Sequence, residues 1–243
     1  MTGPDPATSA SGPSNLALRI ASSAVMAPVT IFIAWLGGWP FVLFWTLAAC
    51  VVLWEWTMLV RGANPAPTQT RFAAWMLAGL VYADILLLGP VALRRDAEFG
   101  FAAILFLFAV VWITDIAAYF TGRALGGPKL WPAVSPKKTW SGAIGGMVGA
   151  VAAGLLVLWL MGLAVGPMLV LVAAVLSAIS QAGDLLESSI KRHFGAKDAS
   201  HLIPGHGGLM DRLDGFLTAV LAAVMVGLLR GGLDGPARGL IVW

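Results

Sequence analysis

The sequence predicts an all-α, polytopic membrane protein with about seven transmembrane helices and long polar loops on one side of the membrane. Of its 243 residues, 59% are hydrophobic and only 11% are charged, whereas about 25% of the residues of a soluble domain carry a charge. The mean hydropathy is +0.86. The apolar residues also fall into stretches of roughly 20 residues, the length that an α-helix needs to cross the hydrocarbon layer.

Seven of these stretches are predicted to be helices that span the membrane. They cover residues 20–39, 40–60, 72–93, 100–120, 139–163, 167–190 and 213–229. The last is the shortest and would need local thinning of the bilayer. Residues 1–18 are rich in Pro, Ser and Gly and are predicted to form a disordered tail. Residues 19–243 are then one integral membrane domain.

The basic residues predict which side of the membrane each loop faces. With the amino terminus inside, Arg94, Arg95, Arg230 and Arg238 lie outside, and the other eleven of the fifteen lysines and arginines lie inside. An excess of basic residues is typical of cytoplasmic loops. Loops 121–138 and 188–212 are therefore predicted to face the cytoplasm.

Acidic residues near the inner helix ends predict a functional site. Asp184 and Glu187, and likewise Asp211 and Asp214, stand three residues apart and so share a helix face. Carboxylates within membrane helices are costly and usually mark functional sites. Asp115 and Tyr119 share a face of the fourth predicted helix. Glu55 and Asp84 are further acids in apolar stretches, interpreted as buried, and Asp84 is interpreted as structural because no basic loop adjoins it.

Basic and hydroxyl side chains beside these acids predict a site for phosphate and magnesium. Ser135, Lys137, Lys138 and Thr139 lead into the fifth predicted helix, and such groups at a helix start bind phosphate. Carboxylate ligands suit magnesium. The three histidines are too widely spaced, and too far from any cysteine, for a zinc site. His206 precedes Gly207 and Gly208 and is predicted to contact a phosphate in a tight turn.

Residues 188–214 resemble the signature of the phosphatidate cytidylyltransferase family, the CDP-diacylglycerol synthases. The matching positions are Ser188, Ile190, Lys191, Arg192, Lys197, Asp198, Ser200, Ile203, Pro204, His206, Gly207, Gly208, Asp211, Arg212, Leu213 and Asp214. Weaker resemblance is found in "TDIAAYFTGRALG", "SPKKTWSGAIGG" and "QAGDLLES", so that it covers roughly residues 112–216. This chain is shorter than the resemblance would lead one to expect.

The resemblance implies a reaction in which CTP and phosphatidic acid give CDP-diacylglycerol and pyrophosphate. It places the catalytic loops at the cytoplasmic face of the plasma membrane, in bacteria the inner membrane. The partners are CTP, phosphatidic acid and the lipid bilayer, without nucleic acid. Magnesium is the expected cofactor, with two metal sites and the identity of the second cation left open.

The predicted site residues fall into three groups. The catalytic group is Lys191, Arg192, Lys197, Asp198, His206, Arg212 and Asp214. The substrate-binding group is Asp115, Tyr119, Arg123, Ser135, Lys137, Lys138, Thr139, Gly207 and Gly208. The metal ligands are Asp184 and Asp211, because each lies where a helix meets the loop at the inner boundary. Whether Lys137 and Lys138 hold the lipid phosphate or the nucleotide is left open.

Three alternatives compete with this interpretation. A CTP-dependent polyprenol kinase would transfer the γ-phosphoryl group instead of CMP. A transporter or channel would also place acids in membrane helices. A cytidylyltransferase could act on another lipid phosphate. The glycine pairs Gly142/Gly146 and Gly145/Gly149 stand four apart, which favours close helix contact and offers a surface for a homo-oligomer.

Overall fold

A computed structural model describes residues 15–200, 202 and 207–243, with side chains from residue 24 onward. The described elements are helices and one β-hairpin. They are α1 Asn15–Leu36, α2 Gly38–Arg61, α3 Gln69–Arg94, α4 Gly100–Leu125, β1 Lys129–Trp131, β2 Ser135–Thr139, α5 Trp140–Leu160, α6 Pro167–His193, α7 Met210–Gly231 and α8 Pro236–Ile241.

The predicted all-α membrane fold is confirmed. Six helices, α2 to α7, are long and apolar enough to cross a membrane. The last of them, Met210–Gly231, begins three residues before the predicted span and has 22 residues, so it is longer than the sequence suggested. Apolar segments in lipid must satisfy their backbone hydrogen bonds internally, and the helix does this within one segment.

The amino-terminal boundary differs from the prediction. Helix α1 begins at Asn15, so the prediction of disorder is wrong for residues 15–18. The rest of the predicted tail, residues 1–14, lies outside the described residues. The apolar part of α1 with described side chains, Ala24–Leu36, is shorter than a full span, and a seventh span at this helix stays a prediction.

Helices α4 and α5 pack against each other through glycines. A Cβ atom on Gly146 would lie 2.8 Å from the carbonyl oxygen of Thr114, and one on Gly142 would lie 2.9 Å from that of Ala118. Only glycine permits this approach of the two backbones. The predicted helix contact is therefore made within the chain, which removes the reason for assigning these glycines to a homo-oligomer.

An aromatic cluster joins α2, α4 and α7 in the core. The rings of Trp45 and Phe216 stack with their centroids 5.0 Å apart, and Phe108 lies 5.5 Å from Phe216. Nearby, the hydroxyls of Thr114 and Ser177 bond at 2.8 Å and link α4 to α6. These contacts place the inner ends of α4, α6 and α7 beside one another.

The loop between α4 and α5 contains an antiparallel hairpin. Lys129 pairs with Thr139 and Trp131 pairs with Ser135, so the segment "SPKKT" is a strand and not an irregular loop. The Thr139 side chain then caps α5, because its Oγ1 accepts a hydrogen bond of 3.2 Å from the Gly142 N–H. The hairpin is thereby fixed against the start of α5, and it holds Lys137 and Lys138 at the inner end of the bundle.

The glycine contact generates a first prediction. Gly146→Val should lower the melting temperature of the detergent-solubilised protein, because overpacking a close contact costs about 1–3 kcal/mol. Ala152→Val is the matched control, since Ala152 is an exposed residue of the same helix. Equal melting temperatures for the two variants, measured by thermal unfolding, would contradict the proposed close contact of α4 and α5.

Candidate active site

A polar cavity of about 720 Å³ lies where the ends of α4 and α6 and the starts of α5 and α7 meet the hairpin. Charged side chains dominate its lining, and both signs are present. The acidic residues are Asp115, Asp184, Asp198, Asp211 and Asp214, and the basic residues are Arg123, Lys129, Lys137, Lys138, Lys191 and Arg212. Such a cavity suits a ligand that carries several negative charges together with a cation.

The cavity brings together most of the site residues that the sequence predicts. Those that line it are Asp115, Tyr119, Arg123, Lys137, Lys138, Thr139, Asp184, Lys191, Asp198, Asp211, Arg212 and Asp214. They come from two parts of the chain far apart in sequence, one formed by α4 and the following hairpin and the other by the end of α6, the start of α7 and the segment between them. Antiparallel packing of the helices places both parts at the same end of the bundle.

Other predicted residues are placed elsewhere. Among the described residues, Ser135, Arg192, Lys197, Gly207 and Gly208 are not part of the cavity lining. Arg192 is exposed and donates to the carbonyl oxygen of Ala196 at 3.4 Å. Neighbouring residues of a helix point about 100° apart, so Arg192 diverges from Lys191. His206 lies outside the described residues.

Lys191 lies in a buried ion cluster. Its Nζ is 2.7 Å from Oε2 of Glu187 and also pairs with Oδ1 of Asp211. The residue is only 8% exposed. The predicted role of Lys191 was to neutralise phosphate, but here its charge is taken up by two carboxylates. The cluster joins the last turns of α6 to the first turn of α7.

Asp211 is held by backbone donors as well as by Lys191. Its Oδ2 accepts hydrogen bonds from the Gly208 N–H at 2.8 Å and the Ala199 N–H at 3.0 Å. The carboxylate therefore fixes both ends of the segment that leads into α7. The N–H of Gly208, a residue predicted to bind substrate, donates to Asp211.

Asp184 has a different environment. Its Oδ2 pairs with Nζ of Lys138, and its Oδ1 accepts a weak bond of 3.4 Å from the Ser188 hydroxyl. The cation that pairs with Asp184 therefore comes from β2 and not from the nearby Lys191 or Arg192 of its own helix. The side chain is 25% exposed. Asp184 is thus more accessible from the cavity than Asp211.

The carboxylates fit magnesium chemically, although they do not form a complete metal centre by themselves. In the part of the chain that the structure describes, no group of three or more His, Cys, Asp or Glu residues is arranged to hold a metal ion. Magnesium commonly takes one or two protein carboxylates and fills its other positions with water and substrate phosphates. An ion in this cavity would take water or phosphate oxygens at its remaining positions.

Glu55 in α2 is a further residue that acts on this site. It is fully buried, and its carboxylate accepts hydrogen bonds from the backbone N–H groups of Leu209 at 2.9 Å and Met210 at 2.7 Å. The sequence indicates an acid in an apolar helix, which is a signal of function, but it predicts no role for this residue.

The other acid in an apolar stretch differs from the prediction. Asp84 was interpreted as buried, but it is exposed.

Two other lining residues were missed. Gln181 lies one helical turn before Asp184, and its Nε2 donates to the carbonyl oxygen of Ala143 at 3.2 Å. Lys129 adds a cation from β1. The resemblance in "QAGDLLES" included Gln181, and the positive charge of the loop included Lys129. Neither signal distinguished these residues from their neighbours.

Comparison with known proteins finds a matching family model and similar proteins from several bacteria. A model of the cytidylyltransferase family matches residues 66–229. The chain is 41% identical to the phosphatidate cytidylyltransferase of Brucella suis biovar 1 over 92% of this chain and 97% of that protein. It is 42% identical to the phosphatidate cytidylyltransferase of Brucella abortus biovar 1, over 88% of this chain and 94% of that protein. It is also 42% identical to the phosphatidate cytidylyltransferase of Staphylococcus haemolyticus, over 60% of this chain and 55% of that protein.

The buried ion cluster generates a second prediction. Lys191→Met should lower the stability of the detergent-solubilised protein by about 3–5 kcal/mol, because Glu187 and Asp211 would remain buried without their cation. Adding Glu187→Gln should recover part of the loss, since it removes one of the two buried charges. Thermal unfolding measures both effects.

The control for this prediction is Arg192→Met, which removes a neighbouring cation that is exposed. It should change the melting temperature little, since exposed charges contribute little to stability. If Lys191→Met and Arg192→Met had the same melting temperature, the cluster would not stabilise the fold.

Proposed function

The chain belongs to the cytidylyltransferase family, and we infer that it transfers CMP from CTP to phosphatidic acid, giving CDP-diacylglycerol and pyrophosphate for phospholipid synthesis. The single observation that carries this inference is the identity of about two residues in five with phosphatidate cytidylyltransferases over nearly the whole chain. The charged cavity at one end of an apolar helix bundle supports it.

The reaction suits the side chains of the cavity. The nucleophile is a phosphate oxygen of the lipid, which is ionised at neutral pH, so no residue has to remove a proton. This oxygen forms a bond to the α-phosphorus of CTP, and the bond from that phosphorus to the bridging oxygen of pyrophosphate breaks. Catalysis then consists of placing the two substrates together and neutralising their charges.

Four basic residues of the cavity are suited to bind phosphate oxygens. Among the described residues, Arg123, Lys129, Lys137 and Arg212 make no ion pair with a carboxylate. The guanidinium of Arg212 can donate to two phosphate oxygens at once. Lys138 is neutralised by Asp184, so that Lys137 is the member of the "SPKKT" pair whose charge is available to a substrate.

Magnesium is the proposed cofactor. When bound with the triphosphate, it would polarise the α-phosphorus and stabilise the departing pyrophosphate. Asp184 is the better placed of the two predicted ligands. Among the described residues its oxygens bond only Lys138 and Ser188, whereas both oxygens of Asp211 are engaged by Lys191 and backbone N–H groups. Asp211 as a metal ligand and a second cation stay predictions.

The proposed location is the plasma membrane, in bacteria the inner membrane, with the cavity at the cytoplasmic face. The excess of basic residues at the cavity end of the bundle supports this orientation. CTP is a cytoplasmic metabolite, and phosphatidic acid would reach the cavity from the bilayer. The exposed aromatic side chains of Tyr119, Trp131 and Trp140 beside the cavity are of the kind found at membrane interfaces.

The test of function uses the purified protein in detergent with magnesium, phosphatidic acid and CTP. Label in the α-phosphate of CTP should enter the lipid, whereas label in the γ-phosphate should appear in pyrophosphate. Transfer of the γ-label to a lipid would indicate a kinase instead. If no labelled lipid formed with phosphatidic acid or with other lipid phosphates, the proposed reaction would be wrong.

The metal proposal generates its own prediction. Asp184→Asn should reduce turnover by about two orders of magnitude, since a metal supplies several kcal/mol of charge stabilisation, and should raise the magnesium concentration needed for half-maximal rate. Asp234→Asn, which changes an exposed acid beyond α7, is the control. Unchanged magnesium dependence in a folded, slow Asp184→Asn enzyme would remove Asp184 from the proposed metal site.

A further inference from the structure

We propose that Glu55 is a positioning residue of the active site. Its buried carboxylate holds the start of α7 and the preceding segment in the place that puts Asp211 and Arg212 in the cavity. This inference rests on the proposed function, because its main readout is the reaction. Glu55 lies in α2, outside residues 66–229 that match the family model and away from the cavity lining.

Glu55 makes three hydrogen bonds to this part of the chain. Its Oε1 accepts from the Ser200 hydroxyl at 2.5 Å and from the Leu209 N–H at 2.9 Å, and its Oε2 accepts from the Met210 N–H at 2.7 Å. The residue is 0% exposed. Because three donors bind a fully buried carboxylate, its position is defined within narrow limits.

Glu55 serves as the amino-terminal cap of α7 from a different helix. The N-cap residue of α7 is Leu209, which has no side chain that can accept a hydrogen bond. The first N–H groups of a helix lack partners within it and carry partial positive charge. The negative charge of Glu55 satisfies two of them, and within the described residues no lysine or arginine pairs with this carboxylate.

Glu55 and Asp211 bind alternate positions of the same two backbone segments. Asp211 accepts from the N–H groups of Ala199 and Gly208, whereas Glu55 accepts from the Ser200 hydroxyl and the Leu209 N–H, the next residue in each case. The two carboxylates therefore hold adjacent residues of the same two segments. A shift of Glu55 would move the backbone that holds Asp211, and with it the neighbouring Arg212.

The two glycines before α7 are explained by the same arrangement. A Cβ atom on Gly208 would lie 2.7 Å from Oε1 of Glu55, and one on Gly207 would lie 2.9 Å from Oδ2 of Asp211. Gly207 also has a φ of +84°, which other residues rarely adopt. Each glycine thus leaves room for one carboxylate beside the backbone. This role differs from the predicted binding of substrate.

The decisive variant is Glu55→Gln, which keeps the shape of the side chain but replaces one acceptor oxygen by a donor. We expect kcat to fall about 10- to 100-fold, the effect of a small misplacement of catalytic groups, with a smaller change in the KM for CTP. Glu98→Gln, the same change at an exposed acid on the opposite side, should retain the wild-type kcat.

A second readout separates positioning from general loss of stability. Hydrogen exchange at the amides of Leu209 and Met210 should become faster in Glu55→Gln, while exchange in the core of α4 stays slow. Assays are run below the melting temperature on protein that is monodisperse in gel filtration. Wild-type kcat in this variant, or a reduced kcat with unchanged exchange at these amides, would overturn the proposal.

The variant Gly208→Ala gives an independent test of the role of Glu55. This test remains possible if Glu55→Gln does not fold. Its methyl group should press on Glu55 and reduce kcat, and Glu55→Ala should relieve that clash. The double variant should then lose less activity than the product of the two single losses. Strict multiplication of the losses would overturn the proposal, whereas a wild-type enzyme without cytidylyl transfer would instead refute the proposed function.

Discussion

The buried cluster of Glu187, Lys191 and Asp211 is the interaction on which the rest of the site depends. One ammonium group lies between two carboxylates from different helices, at the point where α6 ends and α7 begins. Removing such charges from water is costly, and the cost is met only where the geometry satisfies each group. Here two backbone N–H groups complete the bonding of Asp211. The ion cluster therefore defines how the polar segment between the two helices folds, and through it where the cavity lies.

The charges of the cavity are divided between structure and substrate. Lys191 and Lys138 hold carboxylates in place, and the pairs Lys191–Asp211 and Lys138–Asp184 each join two elements of the fold. The basic residues without such a partner in the described chain are left to meet the phosphates. This division explains why a site for anionic substrates contains five aspartates. Two of them, Asp184 and Asp211, set the positions of Lys138 and Lys191.

Close helix packing brings the second polar segment to the same place. Because Gly142 and Gly146 let α5 lie directly against α4, the hairpin between these helices lies at the same end of the bundle as the cavity. Thr139 caps α5 and ends the hairpin. The result is that Lys138 reaches Asp184 on α6. The close contact of the α4 and α5 backbones therefore determines where Lys138 meets Asp184.

The sequence by itself determined the helical membrane fold, the approximate bounds of the helices, the family and most of the residues around the cavity. It could do so because an apolar segment of about 20 residues in lipid has the helix as its simple solution, and because the three-residue spacings of Asp184 and Glu187 and of Asp211 and Asp214 are local. Only the tertiary structure decided that Lys191 is held by carboxylates, that Lys138 and not Lys137 pairs with Asp184, and that Glu55 caps α7. These contacts join residues 46 positions apart for Lys138 and Asp184, and 155 apart for Glu55 and Met210. No local pattern of residues encodes such pairings, because they depend on how the helices pack in three dimensions.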